Sequence, residues 1–103
     1  MEFLPVFLNL KGRRALIVGG GVIAARKATL VHAAGPAITV VSPELKPAMT
    51  ELAARCDFAV RRREFRETDL DGFALVIAAT DDAAVNAAVY AGCLLYTSDA
   101  ADE

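Results

Sequence analysis

Six consecutive residues carry the plainest chemistry in this chain: Gly19-Gly20-Gly21-Val22-Ile23-Ala24 fits the spacing G-x-G-x-x-G/A. In that pattern the first glycine permits a tight turn and the third residue, here Gly21, removes the side chain that would obstruct a pyrophosphate. The small sixth residue lets helix and strand touch. An anion at such a loop meets unpaired N–H groups of a first helical turn and the positive end of the helix dipole, so no lysine is needed to hold it. The string is informative only with a strand before it and a helix after it.

Two further groups stand where a dinucleotide would extend. A ribose-binding acid is expected about twenty residues after the glycines, at the end of the second strand, and Glu44 in Ser42-Pro43-Glu44 lies there. The same residues also read as a helix start, with Ser42 as N-cap, Pro43 at the first helical position and Glu44 on the dipole. Both readings stand. No Arg directly follows the strand to favour a 2′-phosphate, which leans toward NAD over NADP. Thr80-Asp81-Asp82 falls at the carboxyl end of another apolar run, where ligands of open α/β sheets sit. Thr80 or Asp81 also suits the cap of the following helix, and the two roles are compatible.

Other candidates carry less. Arg26, Lys27 and Arg61-Arg62-Arg63 read as solvated charge, His32 as a surface residue near a helix C-terminus, and Cys56 as filler of a small apolar gap. Cys56, Cys93 and the single His32 lie in no metal-ligand spacing, and no general acid, nucleophile or metal constellation emerges.

The elements that must position these residues alternate along the chain. Arg14-Ala15-Leu16-Ile17-Val18 is an apolar run suited to a fully buried parallel strand. A helix follows, with Ile23, Ala24, Lys27, Ala28, Val31 and Ala34 at helical spacing and Gly35-Pro36 as the stop. Ala37–Val41 predicts a second strand, residues from Ser42 to about Arg55 a second helix, and the charged Phe58–Phe65 stretch a short strand near the sheet edge. Asp69-Leu70-Asp71-Gly72 marks a turn, Phe73–Ala79 a fourth strand, and an Ala-rich helix comes last. This order implies an α/β, Rossmann-like NAD-binding fold: a truncated three-layer parallel sheet of about four strands with helices on both faces. The fourth strand is expected to leave an open edge.

Composition agrees with one small domain. The chain has 103 residues, 55% hydrophobic and 23% charged, with a net charge of -2, enough apolar side chain for a core and too little charge for disorder. The near-neutral balance argues against a nucleic-acid partner. The acidic start and Pro5 do not resemble a signal peptide, and no apolar stretch reaches the ~20 residues of a membrane span. The cytoplasm is the expected compartment, in keeping with free thiols and no disulfide framework.

Taken together, Leu4-Pro5-Val6-Phe7, Leu16-Ile17-Val18-Gly19-Gly20-Gly21, Ile23-Ala24, Arg26-Lys27-Ala28, Ala34-Gly35, Ser42-Pro43-Glu44-Leu45 and Ala78-Ala79-Thr80-Asp81-Asp82 with Val85-Asn86 resemble the N-terminal domain of the siroheme synthases. The likeness runs from Met1 to about Gly92. It implies a precorrin-2 dehydrogenase that oxidises precorrin-2 to sirohydrochlorin with NAD, in many members also a ferrochelatase, acting as a homodimer on a tetrapyrrole. It further implies that Gly19, Gly20, Gly21, Val22, Ile23, Pro43 and Glu44 contact the dinucleotide, with Thr80 and Asp81 flanking it. Val22 departs from the polar residue often found there and Pro36 from the usual Ala. The family's aspartate of catalysis and chelation follows a fifth strand that this sequence does not reach, so the chain alone is expected to be inactive.

The domain is accordingly placed at residues 1–92. Residues 93–103 do not continue the likeness: Cys93-Leu94-Leu95-Tyr96-Thr97-Ser98 is the translation of TGTCTCTTATACACATCT, a transposon end used in preparing sequencing libraries. The expectation is a non-native tail with no part in fold or function.

Overall fold

The computed structural model describes residues 10–90. Leu4-Pro5-Val6-Phe7 and the 93–103 segment, both used above, lie outside those residues. Strand β1 (Arg14–Val18) leads to helix α1 (Val22–His32), β2 (Ala37–Val41), α2 (Pro47–Cys56) and β3 (Ala59–Arg61). A short 3-10 helix (Glu67–Leu70) and β4 (Leu75–Ala78) follow, and residues 83–90 are helical (α3). The strands form one parallel sheet in the order β3-β2-β1-β4. Val18 pairs with both Val41 and Ala78, so the loops after β1, β2 and β4 open at one end of the sheet. The chain switches sides of β1 between β3 and β4, which makes that end the topological switch point where open α/β sheets take ligands.

The continuous apolar run of β1 follows from burial on both faces. Ala15 and Ile17, with Ile38 and Val40 of β2, pack on α1 and α2, while Leu16, Val18 and Val41 pack against Leu70 and Val89. Alternate residues of β1, β2 and β4 thus feed two separate cores. Among the described residues β4 lies at the sheet edge, and all four of its residues are only half-buried.

Three local expectations are corrected. The buried stripe of α1 is Ala24, Ala25, Ala28 and Val31; Ile23 is 58% exposed and Lys27 is exposed. Small alanines draw the helix close to the sheet and leave residues 23 and 27 on its flank. Helix α2 starts at Pro47 with Lys46 as N-cap, not at Ser42. A proline suits the first helical turn at either place, and the Ser42 hydroxyl instead donates to Glu44 O at 2.7 Å, closing a turn. Asp57, at φ 61, ends α2 in the left-handed conformation common after helices. Finally, Arg61 and Arg63 are not free surface charge. Both donate to the buried Asp69 carboxylate, at 2.9 Å and 2.5 Å, and so does the Arg66 amide at 2.7 Å. The Arg63 hydrogen bond is the main reason that the Asp69 pKa falls to about 2.

Candidate functional site: a groove at the glycine loop

The three glycines have three different structural reasons. Gly19 adopts φ +136, where a side chain is strained, and a Cβ there would run into the Ala79 carbonyl at the end of β4. Its amide donates to Val41 O at 2.9 Å. At Gly20 a Cβ would strike Glu44 O and approach Leu45 Cδ2 to 2.8 Å. Lys46 N–H donates to Gly20 O at 2.8 Å, so the loop after β2 is latched to the glycine loop. At Gly21 a Cβ would meet nothing within 4 Å. The protein's own packing requires the first two glycines, whereas the third, at the N-cap of α1, faces open space.

That space is a groove of about 470 Å³ lined by Gly20, Gly21, Val22, Ile23, Ser42, Pro43, Glu44, Lys46, Ala79 and Asp81. Gly21 is the N-cap of α1, with no side-chain cap and no acid in the first turn. The first-turn N–H groups and the positive end of the dipole are therefore left to an incoming anion. Val22 and Ile23 are more than half exposed and their side chains are apolar, so any polar contact they offer comes from backbone. Glu44 is exposed and lines the groove two residues before Lys46.

Of the nine residues singled out from the sequence, seven line this groove: Gly20, Gly21, Val22, Ile23, Pro43, Glu44 and Asp81. Gly19 lies beneath it as the turn that brings β1 and β4 together. Thr80 faces a separate cleft of about 140 Å³ with Phe65 and Val85. Its hydroxyl donates to Asn86 Oδ1 at 2.8 Å, while its amide donates to the same oxygen at 3.1 Å and Asn86 Nδ2 returns a bond to Thr80 O at 3.0 Å. Neither Thr80 nor Asp81 caps α3. Asp82 does, its Oδ1 accepting from the amides of Ala84 and Val85, because Asn86 already holds Thr80 and Asp81 points to the groove. Sequence reasoning missed Lys46 as a lining residue; a lysine before a proline at a helix start was its one visible signal. Among the described residues no cluster of three metal-ligating side chains occurs, and no helix is long and apolar enough to cross a membrane.

The chain is similar to several known proteins. A family model described as NAD(P)-binding matches residues 6–100. The chain is 50% identical over 91 residues to a siroheme synthase of Chromobacterium violaceum, covering 88% of this chain and 19% of that protein. It is 51% identical over 89 residues to one of Methylobacillus flagellatus, covering 86% and 19%. A solved structure titled SirC, precorrin-2 dehydrogenase, superposes with a TM-score of 0.78 at 40% identity, over 85% of this chain and 44% of that one. The chain spans about a fifth of the length of the curated relatives it matches.

Proposed function

The chain belongs to the NAD(P)-binding family, and from that premise we propose that it is the cofactor-binding half of an NAD-dependent precorrin-2 dehydrogenase of siroheme biosynthesis. The observation that carries the reading is Gly21, whose missing side chain faces open groove instead of protein. Likeness to proteins named siroheme synthase and precorrin-2 dehydrogenase supplies the substrate class.

The residues present fit the cofactor. The first-turn amides of α1 would take the pyrophosphate over Gly21, with Val22 and Ile23 contributing backbone alone. Pro43 and Glu44 would face the adenosine ribose, the carboxylate accepting from a 2′-hydroxyl; with no Arg directly after β2, this favours NAD over NADP. Asp81 would flank the dinucleotide from the end of β4, and Gly19, Gly20 and Thr80 would hold the loops that frame it. When bound, NAD supplies the hydride acceptor for oxidation of precorrin-2 to sirohydrochlorin. We assign no catalytic acid or metal ligand within this chain. The reading extends to a longer cytoplasmic protein, homodimeric and also competent to insert ferrous iron, and it leaves residues 93–103 without a role.

A protein carrying residues 1–92 continuous with the second half of such a fold should reduce NAD when given precorrin-2, followed by nicotinamide absorbance. Tight NAD binding with no reduction by precorrin-2 would instead favour a non-catalytic nucleotide-sensing module.

A further inference from the structure

The charged side chains lining the groove are Glu44, Asp81 and Lys46: two carboxylates and one ammonium. None of the three is drawn into a side-chain hydrogen bond or ion pair with another described residue. An anionic ligand entering this groove therefore faces net repulsion from the side chains, and Lys46 alone offsets it. The lysine is also placed at the loop itself. Its amide donates to Gly20 O at 2.8 Å, which sets its backbone beside the Gly20–Gly21 peptide, the edge of the open space. Gly21 and Lys46 are the N-caps of α1 and α2, and neither helix has a side-chain cap or an acid in its first turn. The latch thus brings two helix starts without side-chain caps and one cation to a single place.

We propose that Lys46 is a binding residue for the pyrophosphate of the dinucleotide, its ammonium closing over the anion that the α1 amides hold from below. The inference rests on the reading of the groove as a dinucleotide site and adds a contact that the glycine motif does not call for. A flexible, hydrated lysine serves here as a point charge whose contribution is screened by salt. It does not carry the latch, which uses the backbone N–H and survives replacement of the side chain.

Binding of NAD, ADP, NADP and adenosine to the full chain, measured by calorimetry at low and high salt, tests this. Lys46→Gln should weaken NAD, ADP and NADP alike by about tenfold, the scale of one lost charge-assisted contact. Adenosine affinity and melting temperature should stay unchanged, and the salt dependence of NAD binding should flatten. Lys46→Arg should restore affinity to within about threefold, since the charge is kept. Unchanged NAD affinity in Lys46→Gln would overturn the proposal, as would a loss confined to NADP, which would move the lysine to the ribose. Gly21→Val, run in parallel, separates the two levels. If it binds NAD as wild type does, the groove reading itself fails; if it abolishes binding while Lys46→Gln is silent, only the lysine assignment falls.

Discussion

The amide of Lys46 hydrogen-bonds the carbonyl of Gly20 at 2.8 Å, tying the start of α2 to the turn that opens α1. The two walls of the groove are thereby one piece. Gly20 is buried under this latch, with Glu44 O, Leu45 Cδ2 and Ser42 Oγ crowding the position a Cβ would take. Gly20→Ala should lower stability by about 1–3 kcal/mol, the usual cost of forcing a group into filled space, and should weaken NAD binding by shifting the 42–46 loop. Thermal denaturation checks the first effect. A variant that melts with the wild type would show that the walls are not coupled.

Asn86 should matter more for stability than for binding. Its side chain accepts from the Thr80 amide and hydroxyl and donates to the Thr80 carbonyl, fixing the β4 end from which Asp81 reaches the groove. Asn86→Ala leaves half-buried backbone groups unpaired, at about 1–3 kcal/mol. Asn86→Asp keeps the acceptor and loses the donor, so its loss should be smaller. Urea denaturation of the pair orders them; equal stability of wild type and Asn86→Ala would remove the clamp from the account.

Acid should unfold the protein partly through Asp69. Its carboxylate, 2% exposed and held by Arg63, Arg61 and the Arg66 amide, has a folded pKa of about 2 against an ordinary value of 3.8. Because the folded value is the lower one, the stabilisation is complete above about pH 4 and is lost as pH falls toward about 2. With the arginines a third exposed, it is worth on the order of 1–2 kcal/mol after screening. Asp69→Asn should be less stable at neutral pH and show a flatter decline across that window in a pH series of denaturation curves. An unchanged slope would mean that other carboxylates carry the acid sensitivity.

What the sequence made legible follows from where burial is two-sided. Ala15–Val18 and Ile38–Val41 read as strands because both faces are covered, and Gly19–Ala24 read as a phosphate loop because a strand precedes it and a helix follows. The start of α2 was not legible, since Pro43 and Pro47 both make acceptable first turns and only the closure of Ser42 Oγ on Glu44 O decides between them. Lys46 was hidden for the same reason: its place on the groove depends on how residues 42–45 fold. The Asp69 clamp was missed because adjacent arginines look solvated until a long-range partner is known. Among Thr80, Asp81 and Asp82 the cap fell to Asp82, a choice made by Asn86 six residues beyond Thr80.

The most direct measurement compares NAD binding to the full chain and to Gly21→Val by calorimetry, with melting temperatures recorded for both. A Cβ at Gly21 meets no protein atom within 4 Å, so the variant should fold with a loss of no more than about 1 kcal/mol from the poorer N-cap. Its branched side chain nonetheless occupies the space over the α1 amides, so NAD affinity should fall by at least about a hundredfold, the equivalent of ~3 kcal/mol. Equal NAD affinity in a well-folded Gly21→Val protein would contradict the central claim that this space is kept for the dinucleotide.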